Sequence, residues 1–259
     1  MSKALRILFL IAARGGSKGV RGKNLKSIAG LSLLGYKARS AQSCSNCSRL
    51  ILSTDSEEIR AEGQRLGVEV PFIRPAELAT DDAPSDGVVS HAMEWVEADE
   101  GRSYDAVMLL EPSSPFATAE HYDEAIRLFK RNSADLVVGL RNTETYSLFT
   151  GRLGANGSIA SIVEKMSSET ALRRQDQPIE VTMNGAFYLV GWNAFRRSGK
   201  IYGDPSRCFG VMMDWWHSIE IETPANLAMA EFAVAQGYLD VSLWSDTSEK
   251  NIPPRNAHP

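Results

Sequence analysis

Seven consecutive apolar residues, Ile7 to Ala13, run directly into Arg14-Gly15-Gly16. That junction limits the possible folds more than any other part of the chain. The run is far shorter than the roughly 20 apolar residues of a membrane span. It shows no polar alternation, so a strand built from it is buried on both faces, as in a parallel sheet. Lys3 and Arg6 ahead of it superficially resemble an export signal. Such a signal needs a longer apolar core and a looser exit than two glycines. The stretch therefore reads as a first β-strand that ends in a glycine turn.

Beyond it, elements alternate in the manner of βαβ units. Helices are expected over 32–43, 56–66, 84–98, 118–132 and 223–236, and strands over 49–54, 68–72, 105–110, 135–140, 183–190, 209–213 and 218–221. Between roughly 141 and 182 the chain turns polar, carries Gly151, Gly154 and Gly157, and shows no steady period, so it reads as an inserted lobe. Residues 245–259 are polar with three prolines and read as a disordered tail. The expected architecture is one three-layer, Rossmann-like α/β domain over 1–244, with a mainly parallel sheet interrupted by that lobe.

The glycine turn is also where charge concentrates. The chain has 28 Lys+Arg against 32 Asp+Glu, a net charge of −4. Its first 54 residues hold ten bases and no acid; subtracting those ten from the 28 leaves 18 bases against all 32 acids in the remainder. Within Arg14–Asn24 stand four glycines and the cations Arg14, Lys18, Arg21 and Lys23. Glycine lets backbone N–H groups close on an anion. Four cations so close together repel one another unless a polyanion neutralises them, and phosphate is the natural partner. A flexible solvated basic turn is the blander alternative. Neither a Walker A loop nor a dinucleotide fingerprint fits, because Ser17 and Asn24 stand where the first needs Gly and a hydroxyl, and no register supplies Gly-x-Gly-x-x-Gly. Cations gathered in one turn rather than along a face argue against a nucleic-acid partner. An apolar content of 43% excludes a disordered chain, and three cysteines cannot form a disulfide scaffold, which suits a reducing, cytoplasmic setting.

The loop Ala13-Arg14-Gly15-Gly16-Ser17-Lys18-Gly19-x-x-Gly22-Lys23-Asn24 resembles the signature of the CMP-N-acylneuraminate (sialic acid) cytidylyltransferase family. The resemblance continues through Leu31–Gly35, Leu52–Asp55, Arg74–Ala79, Leu109–Pro115, Asn184–Tyr188 and Ser218–Thr223, in order, over roughly 7–235. It implies transfer of CMP from CTP to the anomeric hydroxyl of an acidic nonulosonic sugar, with release of pyrophosphate. By the same resemblance, Arg14, Gly15, Gly16, Ser17, Lys18 and Lys23 hold the triphosphate, and Asn24 approaches the base or ribose. Fixed cations would bind the leaving pyrophosphate more tightly as its charge grows, so Lys23, Arg14 and Lys18 count as catalytic candidates together with Glu222.

Arg74 and Ser85 match positions that read cytosine, whose O2 and N3 accept the donors they offer; a surface turn before Pro75 is the other role open to Arg74. Glu111 and Ser113 match the sugar site. Many members carry Gln at the first of these positions, and a Glu there either accepts sugar hydroxyls or binds a metal. Ala117 and Thr182 stand where Arg is usual, which leaves the exact sugar open. Glu220 and Glu222 match an Asp-x-Asp pair for Mg²⁺, on one face of the expected strand; an exposed acidic edge is the alternative. Asp214 is a weaker metal candidate. The resemblance makes the irregular segment a dimerisation lobe, which implies a homodimer with Arg174 and Gln175 reaching the neighbouring sugar site. Asn184 and Tyr188 line that site, and Ile201 and Tyr202 pack on the sugar's acyl group or in the core. An eight-carbon acid, a sugar 1-phosphate, or a non-catalytic nucleotide-binding role are the rivals. Cys44-x-x-Cys47 lacks the four ligands of a zinc site, Trp215-Trp216 suits interface or core packing, and His217 has no role assigned.

Overall fold

A computed structural model describes residues 5–168, 173 and 178–245. The expected tail beyond 245 and the expected contacts of Arg174 and Gln175 lie outside the described residues.

Strand β1 (Ile7–Ala12) is buried on both sides, as its uninterrupted apolar run requires, and its neighbours explain why. Ile7, Phe9 and Ile11 face α1 (Leu33–Ser43) and α4 (Ala119–Asn132), where Leu34, Ala38, Tyr122 and Ile126 meet them. Leu8 and Leu10 face the opposite layer, α3 (Ser85–Glu100) with Val89, Met93 and Val96, and α6 (Trp192–Ser198) with Trp192 and Phe195. Period-two alternation thus divides one strand between two cores, and the three layers follow.

The remaining strands are β4 (Cys47–Ser53), β5 (Ala106–Leu110), β6 (Leu136–Asn142), β7 (Val181–Gly191) and β8 (Cys208–Met212), in the sheet order β4-β1-β5-β7-β6-β8. Strands β4, β1 and β5 run parallel, as do β6 and β8, and β7 is antiparallel to both of its neighbours. The strands β2 (Ser27–Ile28) and β3 (Leu31–Ser32) form a small separate hairpin. Three helices begin on side-chain caps: Ser32 accepts from Gly35 N–H before α1, Ser56 from Ile59 N–H before α2 (Glu57–Arg65), and Thr223 from Asn226 N–H before α7 (Pro224–Ala235).

Four local expectations need correction. The expected strand over 68–72 is reduced to a single parallel bridge, Ile51 to Glu69, at the sheet edge. The expected strand over 218–221 is not part of any ladder; Ile221 N–H instead donates to Ser113 O at 2.7 Å. Helix α6, hidden behind the aromatic Trp192-Asn193-Ala194-Phe195, was not anticipated. The inserted segment is more ordered than its polarity suggests: it holds α5 (Ala160–Ser168), and its ends close where Arg141 and Asn142 of β6 pair with Thr182 and Val181 of β7.

Candidate active site

The sheet delivers its chemistry at the carboxyl ends of β1, β4 and β5, where ligands bind in open α/β sheets. A cleft of about 420 Å³ opens there, lined by Arg14, Ser17, Lys18, Lys23, Asn24, Arg74, Ser85, Glu111, Ser113, Glu220 and Glu222, among others. Candidates spread along the sequence from Arg14 to Glu222 are thereby brought to one surface.

The glycine loop is held at both ends. Gly15 N–H donates to Asp55 Oδ1 at 2.9 Å, and the buried Asn24 donates its Nδ2–H to Arg14 O at 2.9 Å. Asn24 thus clasps the loop and also lines the cleft. Gly22 takes φ 63°, which only glycine adopts without strain, and opens the 3-10 turn Lys23–Leu25. Gly19 needs to be glycine for a different reason: a Cβ there would stand 2.0 Å from Glu222 O. Loop backbone and acidic segment are in direct contact. Lys23 Nζ reaches to 4.0 Å from Glu222 Oε1.

Arg74 is buried, donating Nε–H to Ser53 Oγ at 3.0 Å and Nη2–H to Ser53 O at 2.6 Å. Burial pulls its guanidinium down to about 10, with Asp55 opposing the shift and Arg14 adding to it. A surface turn is excluded for this residue, which is buried and also lines the cleft. Ser85 is the first residue of α3.

The acidic wall comes from an extended run whose alternation survives although the strand does not. Ile219 and Ile221 enter the core beside Val20, Phe116 and Trp244, while Glu220 and Glu222 face the cleft. Burial raises the Glu220 carboxyl and Glu222 raises it further, with Lys23 and Arg141 opposing. Glu111 is also raised, by burial first and then by Glu220, with Lys37, Lys23 and the Ser85 hydroxyl opposing. Behind Glu220, Gly185 sits at φ 66°, and a Cβ there would lie 3.0 Å from Glu220 Oε1. Among the described residues no group of three His, Cys, Asp or Glu stands ready to hold a metal by itself. Glu220 and Glu222, two hard carboxylates on the cleft wall, nevertheless fit a divalent ion that takes its other oxygens from phosphate and water.

Other candidates fall around this cleft or away from it. Tyr188 stands within electrostatic reach of Glu111 and Glu220, is pushed up first by burial, and meets Tyr202 edge-on at 6.2 Å. Tyr202 is exposed. Ile201 is buried in the core shared with α3, so core packing is its role. Asn184 is not on the cleft lining: it is buried, donates Nδ2–H to Ser218 Oγ at 2.9 Å, and accepts from Ala186 N–H at 3.1 Å. Ala117 is fully buried, with its carbonyl accepting from Ser40 at 2.6 Å, and Thr182 is half-buried. Asp214 is engaged elsewhere, accepting from Trp216 and His217 N–H groups and pairing with His217 Nδ1 at 2.6 Å. Trp216 stacks on Tyr238 at 4.6 Å, and Trp215 donates to Glu144. The Cys44 and Cys47 thiols are pushed up to about 12 by burial, far from thiolate chemistry.

One cleft residue and one interior cation escaped the sequence. Asp81 pairs with Arg14 Nη1 at 2.7 Å and with Lys18 Nζ at 2.5 Å, inside the cleft. The signal was the Asp81-Asp82 pair just past the Arg74–Ala79 motif. Lys37 is fully buried on the apolar side of α1, and one cation in such a stripe was its signal.

A mainly parallel sheet with a basic glycine loop and paired carboxylates at its carboxyl edge defines an α/β nucleotidyltransferase. A family model described as cytidylyltransferase matches residues 8–185. The chain belongs to that family. CMP-N,N'-diacetyllegionaminic acid synthase of Legionella pneumophila is 27% identical, over 88% of this chain and 95% of its own length. N-acylneuraminate cytidylyltransferase of Escherichia coli is 26% identical over 87% of this chain, which spans about half (51%) of that longer relative. In fold, the chain superposes on CMP:2-keto-3-deoxy-manno-octonic acid synthetase complexed with CTP, with a TM-score of 0.65 at 15% identity, covering 90% of this chain and 99% of the other. Among the described residues no helix is long and apolar enough to cross a membrane.

Proposed function

We propose that this enzyme transfers CMP from CTP to the anomeric 2-hydroxyl of a sialic-acid-like nonulosonic acid, giving the CMP-sugar and pyrophosphate. The observation that carries this is the convergence of Arg14, Lys18 and Lys23 with Arg74, Glu220 and Glu222 on one cleft. The names of the similar legionaminic and neuraminic acid enzymes support the choice of sugar.

The sugar hydroxyl oxygen forms the new bond to the α-phosphorus as the bond to the β-phosphate bridging oxygen breaks, and the hydroxyl proton leaves to base. The loop cations stabilise the charge that gathers on departing pyrophosphate. Arg74 and Ser85 offer hydrogen-bond donors to the cytosine O2 and N3. Glu220 and Glu222 would hold Mg²⁺, which supplies Lewis-acid polarisation of the phosphates when bound. Tyr188, Tyr202, Glu111 and Ser113 would face the sugar.

A homodimer belongs to the same proposal. Leu153, Ile159, Val163 and Ile179 of the inserted segment are half or more exposed, an apolar surface that suits a second copy. Three cysteines free of disulfides suit the cytoplasm. Pyrophosphate release tests the reaction, with CTP, UTP, ATP and GTP each combined with a panel of nonulosonic acids, with and without Mg²⁺. CTP-selective, Mg²⁺-dependent turnover is expected; turnover with UTP but not CTP would refute it.

A further inference from the structure

Asp86 is a carboxylate beside the cleft that the reaction above leaves unused. It stands in the first turn of α3, one residue after Ser85, and holds a segment 115 residues further along the chain. Its Oδ1 accepts from Ile201 N–H at 2.9 Å, and its Oδ2 accepts from Lys200 Nζ at 3.1 Å. The two contacts are unequal. The Lys200 side chain is 65% exposed, and an ion pair so open to water contributes little. Ile201 is buried in the core that it shares with Val88, Val89 and Met93 of α3. A backbone donor on so buried a residue needs an acceptor in the protein, and Asp86 is that acceptor.

The same helical turn touches three parts of the molecule. Ser85 and Val88 line the cleft. Gly87 lies against the 3-10 turn Ala76–Leu78 that follows Arg74, where a Cβ would stand 2.8 Å from Leu78 Cδ2. Asp86 holds the turn that follows α6 and leads into Tyr202. Tyr202 comes directly after the bonded Ile201. It is 55% exposed and meets Tyr188 edge-on at 6.2 Å. A residue so exposed is not fixed by its own burial. Its backbone is fixed by the residue before it, which is anchored both in the core and on Asp86.

We infer that Asp86 is a positioning residue for the sugar side of the cleft. It fastens the turn Lys200–Tyr202 to the first turn of α3, so that Tyr202 keeps a set relation to Ser85 on the nucleotide side. The role toward the sugar rests on the proposed function; the fastening of the turn does not.

The test compares D86A, D86N and K200M in the full chain, by steady-state kinetics and by amide hydrogen exchange. D86A and D86N lose the same charge at the start of α3 and the same ion pair, but asparagine keeps an oxygen for the Ile201 N–H. D86A is expected to raise the sugar KM about tenfold, with the CTP KM moved much less, and D86N to recover most of that loss. K200M should stay within about twofold of wild type. In a Y202A background D86A should add little, because the side chain it positions is gone. Exchange of the Ile201 amide should quicken by about tenfold or more in D86A and hardly at all in D86N. Equal losses in D86A and D86N, a CTP KM that rises as far as the sugar KM, or an undiminished effect of D86A in Y202A overturns the role toward the sugar. Unchanged Ile201 exchange in D86A overturns the fastening of the turn. If the wild-type enzyme turns over no nonulosonic acid, the proposed function fails, and the exchange measurement still decides the fastening.

Discussion

Replacing Gly19 with alanine isolates one contact on which the site's geometry depends. Gly19 is not among the residues of positive φ, so alanine brings no backbone strain of its own. Its Cβ would fall 2.0 Å from Glu222 O and 3.2 Å from Glu222 C. A carbon and a carbonyl oxygen approach to about 3.3 Å at closest comfort, so the two segments must part by at least about 1 Å. The Glu222 side is the less able to yield: Ile221 is fully buried and its N–H is bonded to Ser113 O at 2.7 Å, and Thr223 caps α7. The exposed loop should move instead, and with it Lys18 and Lys23. Overpacking of this kind costs about 1–3 kcal/mol, and a 1 Å misplacement of catalytic groups costs on the order of 100-fold in rate. We therefore expect Gly19→Ala to lower kcat/KM for CTP by about 100-fold, measured as pyrophosphate release. Gly16 has nothing within 4 Å of where a Cβ would stand, so Gly16→Ala should cost at most several-fold. A Gly19→Ala enzyme that falls no further than Gly16→Ala would refute the idea that loop and acidic segment must touch.

Three further outcomes are expected. Lys23→Met should lower kcat/KM by about 100- to 1,000-fold, the loss typical of one donor aimed at developing charge, with the fold intact by circular dichroism. Asp81 pairs with Arg14 and Lys18, two of the cations proposed to hold the triphosphate, so Asp81→Asn should tighten CTP binding several-fold by calorimetry while leaving cytidine binding unmoved; weaker CTP binding would mean that Asp81 orders the loop instead. Burial alone would raise the Glu100 carboxyl, but the Tyr104 hydroxyl and the Arg6, Arg49 and Arg102 guanidiniums outweigh it and hold Glu100 at about 2. A depressed carboxyl contributes stability that is present above its unfolded value near 4.5 and lost as pH falls toward 2. The urea midpoint should drop across that window, and Glu100→Gln should flatten the drop.

What could be read from the sequence was whatever depends on local pattern. The uninterrupted run of β1 demanded two buried faces, and the structure supplies a separate core for each. Ser32, Ser56 and Thr223 announced their helices because a cap acts within three residues. Alternation around Glu220 placed both carboxylates on one side even though the expected strand is absent, since side-chain direction follows from extended backbone and not from ladder bonds. The failures share one cause, which is that they turn on distant partners. The stretch after Gly67 has strand composition, but at the sheet edge it makes only the Ile51–Glu69 bridge. Asn184 looked like a ligand-facing amide, and it is Ser218, 34 residues later, that occupies it. Ile201 was ambiguous until α3 packed on it.

Charge shows the same division between local and distant effects. The ten bases of the first 54 residues suggested one polyanion site, and the fold divides them. Arg14, Lys18 and Lys23 reach the cleft. Arg6 and Arg49 instead meet Glu100, with Arg49 also holding Glu69 and Asp99, in a cluster tied to the far end of α3. Lys37 enters the interior. The clustering of bases was therefore a sound pointer only where glycine accompanied it. A cation on a helix or strand finds its partner through tertiary packing, whereas Arg14 and Lys18, in the glycine turn, take their counter-charge from the cleft. In this structure Asp81 supplies that counter-charge to Arg14 and Lys18, and the triphosphate of CTP carries the charge to displace it.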